Sequence, residues 1–66
     1  MNFADMSDKA QKHWIEWANS HDWQMPYPAY MNARGLMTVP QKCPETGQTY
    51  NELFATTGEL YGWAGY

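Results

Sequence analysis

Met6, Ala10, Trp14, Trp17, Ala18 and His21 recur at spacings of four, four, three, one and three, which places them on one stripe of an α-helix. Asp5 or Ser7 stands where an N-cap belongs, and Asp8 in the first turn suits the helix dipole. The pattern predicts a first helix over 6–20, fraying through Asn19-Ser20-His21-Asp22. Met25-Pro26-Tyr27-Pro28 breaks that periodicity, because each proline restricts the residue before it. Pro28 then reads as the first position of a second, short helix, with Arg34 in its last turn and Gly35 just past its end. That helix is expected over 28–34.

From Leu36 to Cys43 the chain carries Thr38 and Val39 but also Pro40, so it is expected to be extended or, at most, an edge strand. Pro44-Glu45-Thr46-Gly47 is a turn signal, with proline at the second turn position and glycine at its end. Beyond it, Thr49 with Glu52 three residues on has the form of a capping box, and Tyr50, Leu53, Phe54 and Thr57 follow helical spacing up to Gly58. A third helix is therefore expected over 50–57. The competing pattern is a hairpin turned at Thr57-Gly58 between Phe54 and Tyr61. The architecture predicted is one small, mainly α domain spanning 1–66, with three short helices and an extended, turn-rich segment at 36–48. The alternative is α+β, with the 6–20 helix packed on one or two hairpins from 36–63.

Composition changes what the core must be made of. Val39, Ile15, Leu36, Leu53 and Leu60 are the only branched aliphatics in 66 residues, while four tryptophans, five tyrosines and five methionines replace them. Aromatic rings bury about 150–250 Å² each, and methionine fills the gaps between them. The expectation is an ordered core of rings and methionines. Core placement is the simplest reading of all four tryptophans and is expected for Trp14 and Trp17, while for Trp63 core and partner contact both stay open. A chain of this length buries only about 60% of its unfolded surface, so any stability is marginal. The single cysteine cannot supply an internal disulfide.

Charge separates the two ends. Residues 1–44 balance Asp5, Asp8, Glu16 and Asp22 against Lys9, Lys12, Arg34 and Lys42, whereas 45–66 carry Glu45, Glu52 and Glu59 with no basic residue. A net charge of −3 argues against direct nucleic-acid binding, which needs clustered Lys and Arg. No apolar run approaches the roughly 20 residues of a membrane span, which points to a cytoplasmic protein with no membrane partner.

Catalytic and metal chemistry find little support. His13, His21 and Cys43, with Asp22 or a glutamate as a fourth ligand, lack the paired short spacings that zinc sites use. Cys43, between Lys42 and Pro44, has no glycine-rich nucleophile turn, and neither nucleotide-binding glycine pattern occurs. The chain therefore reads as a non-enzyme without cofactor or metal. The acidic, aromatic C-terminal third is the expected binding region: Glu52, Phe54, Glu59, Tyr61, Trp63 and Tyr66, with Trp63 on a glycine-rich tail that has little local reason to be ordered. The function expected is a small protein-binding module. An accessory protein of a phage or mobile element that inhibits or redirects a host protein has this size and composition. The alternatives are a structural virion subunit stabilised by assembly, or an acidic decoy for a nucleic-acid-binding groove. The partner and the oligomeric state are not legible. One expectation is directly testable. Purified protein should unfold at the same midpoint with and without a chelator, as followed by circular dichroism, and a drop of several degrees on chelation would contradict it.

Overall fold

A computed structural model describes residues 1–21 and 25–66, so the expectations placed on Asp22 and Trp23 lie outside the described residues. A 3₁₀ turn at Phe3–Asp5 leads into helix α1, Asp8–Asn19. Three strands follow: β1, Tyr30–Met31; β2, Met37–Lys42; and β3, Thr49–Phe54. Helix α2, Thr57–Ala64, comes last. The sheet is antiparallel in the order β1-β2-β3. The chain is thus α+β, not mainly α with three helices.

The first helix forms where its stripe predicts, though shorter at both ends. Ser7, rather than Asp5, is the N-cap, and its hydroxyl accepts from the Ala10 N–H at 3.2 Å. The stripe faces inward: Ala18 is fully buried, and Met6, Trp14, Ile15 and Trp17 pack against the core. Lys9, Lys12, His13 and Glu16 lie exposed on the opposite side.

The helix expected over 28–34 is absent. Pro28 does not open a helix there, because the following residue is pulled inward: Ala29 is buried and its N–H donates to Asn19 Oδ1 of α1 at 2.9 Å. Tyr30 and Met31 then pair with Thr38 and Met37. The turn between β1 and β2 is built on Asn32, whose Oδ1 accepts from the N–H groups of Arg34 and Leu36 at 2.9 and 3.0 Å. Such a side-chain acceptor offers the backbone an alternative to helix. Gly35 is a turn residue, not a helix stop. Its φ is +79°, and a Cβ there would stand 2.8 Å from the Ala4 Cβ.

The segment at 36–43 is the central strand of the sheet, not an edge. Pro40 is accommodated because β1 covers only Met37 and Thr38, leaving the proline nitrogen no ladder bond to lose. The turn at 44–47 forms where expected. Gly47, with φ +74°, donates to the Cys43 carbonyl at 2.8 Å, and Cys43 N–H donates to the Gln48 carbonyl at 2.8 Å.

The third helix expected over 50–57 is also overturned, as is the hairpin turn at Thr57-Gly58. Residues 49–54 pair with β2 in full register, from Lys42–Thr49 to Met37–Phe54. Thr49 caps no helix; the chain's second Thr-x-x-Glu, seven residues later, is the one that does. Thr56 Oγ1 accepts from the Glu59 N–H at 3.2 Å, and Glu59 returns a carboxylate oxygen to the Ala55 N–H at 3.3 Å. Thr57 and Gly58 are therefore the first turn of α2. At its other end Gly65, with φ +93°, closes a Schellman motif: Tyr66 N–H reaches the Tyr61 carbonyl and Gly65 N–H the Gly62 carbonyl. The glycine-rich stretch is an ordered helix with caps at both ends.

The buried apolar cluster among the described residues is small: Phe3, Ala18, Ala29, Met37, Val39, Phe54 and Leu60. Trp14, Trp17, Tyr61 and Tyr66 form an aromatic layer between the two helices. Tyr61 of α2 stands edge-on to Trp14 and Trp17 of α1, with centroids 5.3 and 5.2 Å away. Phe3 meets Trp14 at 5.9 Å, and Trp14 meets Trp17 at 5.4 Å. Removing a core-packed tryptophan typically costs about 3–5 kcal/mol, comparable to the whole stability of a domain this small. Trp14→Ala should leave a largely unfolded chain by circular dichroism and urea titration, while Lys12→Ala should keep the parent midpoint.

Candidate functional site

The six residues expected to bind a partner divide into two groups. At about 100° per residue, Tyr61 and Trp63 project from nearly opposite sides of α2, with Leu60 buried between them. Tyr61 and Tyr66 join the aromatic layer on the α1 side. Tyr66 lies 5.7 Å from Trp17 and 5.8 Å from His21, ring to ring, and its hydroxyl meets His21 Nε2 at 3.0 Å. His21 Nδ1 lies 2.8 Å from the Trp17 carbonyl, which only accepts, so that nitrogen carries the proton. These two tyrosines hold the helices together.

The second group gathers at the corner between β3 and α2. Trp63 tilts against Phe54 at 5.3 Å and remains 37% exposed. Phe54 is buried and takes part in the core, so it supports the surface from beneath rather than belonging to it. Glu59 lies four residues before Trp63 on the same helix face. Glu52 shares the Phe54 side of β3, two residues away. Glu59 and Glu52 are the acidic residues of this corner.

Sequence reasoning missed a further feature: every tyrosine is exposed. Tyr27, Tyr30, Tyr50, Tyr61 and Tyr66 all keep more than a third of their surface, and Leu53 keeps 46%. Tyr50 extends the β3 side of the patch beyond Glu52. Strand alternation alone would not have shown it, since Tyr50 shares one side of β3 with the buried Phe54.

The residues considered for chemistry stay apart. His13 is exposed on α1, His21 is in the aromatic layer, and Cys43 is half-buried at the β2–β3 turn. No group of three potential metal ligands gathers among the described residues. A shallow hollow of about 450 Å³ is lined by Asn19, His21, Met25, Pro26, Tyr27 and Pro28. Its Asn19 oxygen and both His21 nitrogens are engaged in holding the fold. No helix among the described residues is long and apolar enough to cross a membrane. In comparisons with family models, curated proteins and solved structures, nothing matches this chain.

Cys43 has one distinct property. A hydrogen bond from the Thr46 hydroxyl, joined by the backbone amides of Thr46 and Glu45, holds its thiol below the usual range. These donors favour the thiolate, and the thiolate is the reactive form. Thr46→Val removes the largest of them, so the Cys43 pKa should rise. Alkylation by iodoacetamide near neutral pH should slow relative to the parent, and the rate–pH curve should move to higher pH.

Proposed function

We propose that this chain is a non-enzymatic protein-binding module whose contact surface is the β3–α2 corner, with Trp63 as its anchor. The observation that carries this reading is the state of Trp63: 37% exposed, yet braced on Phe54 and mounted on a helix closed at both ends. An indole fixed before binding loses little conformational freedom on docking, and this is how a small surface gains affinity. Exposed tyrosines are enriched at protein interfaces, and Tyr50 adjoins the patch. Glu52 and Glu59 are the acidic residues of this corner, so the partner offers an apolar pocket with basic residues at its rim. Inhibition or redirection follows wherever that pocket is one the partner needs for itself. No catalytic constellation competes for this assignment among the described residues.

A tagged full-length chain used as bait in a lysate, read by mass spectrometry, supplies the partner for titration. Trp63→Ala should weaken its binding at least about thirtyfold, since a buried tryptophan anchor carries about 2 kcal/mol or more. Its circular dichroism should match the parent, because Leu60 and Tyr61 still hold α2 in place. Charge reversal at Glu52, whose carboxylate takes no part in the α2 cap, should act mainly on the association rate and lose its effect at high salt. Unaltered affinity in Trp63→Ala would place the interface elsewhere.

A further inference from the structure

The two sides of the sheet are finished differently. On the β1 side, β1 is only two residues long, and the stretch of β2 it leaves uncovered carries Pro40 and Lys42. Short edges, proline and lysine are the devices that prevent edge-to-edge pairing. On the opposite side, β3 presents six residues, Thr49–Phe54, with no proline, no glycine and no basic residue.

The ladder fixes which of its groups point outward. Cys43 N–H donates to the Gln48 carbonyl, so Gln41–Tyr50, Val39–Glu52 and Met37–Phe54 are the hydrogen-bonded pairs of the β2–β3 ladder. Pro40 opposite Asn51 agrees, since proline has no N–H to give. The N–H and C=O of Thr49, Asn51 and Leu53 therefore face away from β2. The next outward residue, Ala55, is already engaged: its carbonyl accepts from Phe3 N–H at 2.9 Å and its N–H donates to Glu59. The available edge ends at Leu53.

We infer that two copies of this chain pair antiparallel through β3, about a two-fold axis at Asn51, into one six-stranded sheet. This goes beyond the heterologous binding proposed above: it uses the outward edge of β3, shares Tyr50 and Glu52 with that patch, and leaves Trp63 out. Centred on Asn51, Thr49 of each copy meets Leu53 of the other, and Asn51 meets its own counterpart. Three residues per copy, each giving one N–H and one C=O, close six hydrogen bonds. Between them Tyr50 stands opposite Glu52, so the phenol donates to the carboxylate at a closely spaced pair. Both Tyr50, 48% exposed, and Leu53 gain cover. Centring on Glu52 instead sets the two carboxylates against each other and requires Thr49 to bond Ala55, whose groups are taken. Hydrogen bonding and charge select the same register, and an isologous contact of this kind closes at two copies.

Sedimentation velocity of the full chain, from low to high micromolar concentration, tests the inference. The parent should become dimeric with a Kd below about 100 μM. Asn51→Pro removes an outward N–H that β2 does not use, and should sediment as a monomer with unchanged circular dichroism. Asn51→Lys keeps every backbone group but sets two ammonium groups face to face on the axis, and should also be monomeric, with partial recovery at high salt. In a Cys43→Ser background, Asn51→Cys should form a disulfide-linked dimer on mild oxidation, since facing residues at a hydrogen-bonded pair lie about 5.5 Å apart. Glu52→Cys, which faces Tyr50, should crosslink poorly. Trp63→Ala should dimerise like the parent, which separates this contact from the binding of a different protein. A parent that stays monomeric throughout, a dimer unaffected by both Asn51 variants, or equal crosslinking at 51 and 52 would overturn the inference.

Discussion

Tyr61, seated between Trp14 and Trp17, is the contact on which the rest of this small structure depends. With five branched aliphatics available, the chain cannot seal the space between its helices with leucine and valine. It uses rings in edge-on contact, which suits the positive edge and negative face of aromatic systems. Because Trp14 and Trp17 are three residues apart on one helical stripe, they present a notch to α2. Tyr61 fills it, Leu60 is thereby sunk into the core, and Trp63 is turned toward Phe54 on the far side of the helix.

That contact also explains why the glycine-rich end of the chain is helical. Gly58 and Gly62 lower helix propensity by roughly 1 kcal/mol each relative to alanine, and an isolated segment of eight residues would not hold. Packing of Leu60 and Tyr61, the Thr56 cap and the Gly65 turn together offset that cost. The N-terminal segment contributes as well, since Met1 and Phe3 bond to Thr57 and Ala55 at the entry to the helix. The two chain ends thus fold as neighbours across the sheet, and the proposed binding corner rests on contacts from both.

The same economy shapes the sheet. β2 is buried at four successive positions, Met37 to Pro40, and carries strands on either side. Its uncovered length on one side is blunted by Pro40 and Lys42, while β3 on the other is left with a usable row of hydrogen-bonding groups. A chain that buries so little surface internally gains from association. Both proposed contacts, one through a ring and one through a backbone edge, lie along the β3 side.

Local chemistry written in the sequence was enough for α1 and for the 44–47 turn, and it narrowed the cap to Asp5 or Ser7, because each depends on residues within a few positions of one another. It was not enough for 28–35 or 49–57. Pro28, Arg34 and Gly35 carry helix-boundary signals, yet the N–H of Ala29 is claimed by Asn19 and Asn32 turns the chain back. Thr49 and Thr56 each begin a Thr-x-x-Glu, and nothing local distinguishes the true cap from the false one. Pairing with β2 decides it, since 49–54 satisfy their backbone by joining that strand. The proposed binding residues divide in the same way. Composition pointed to the acidic, aromatic third, but whether a ring there is mortar or the proposed anchor depends on its side of α2. Helical geometry sets that side only after Tyr61 has found the notch on α1, a partner more than forty positions away in the chain.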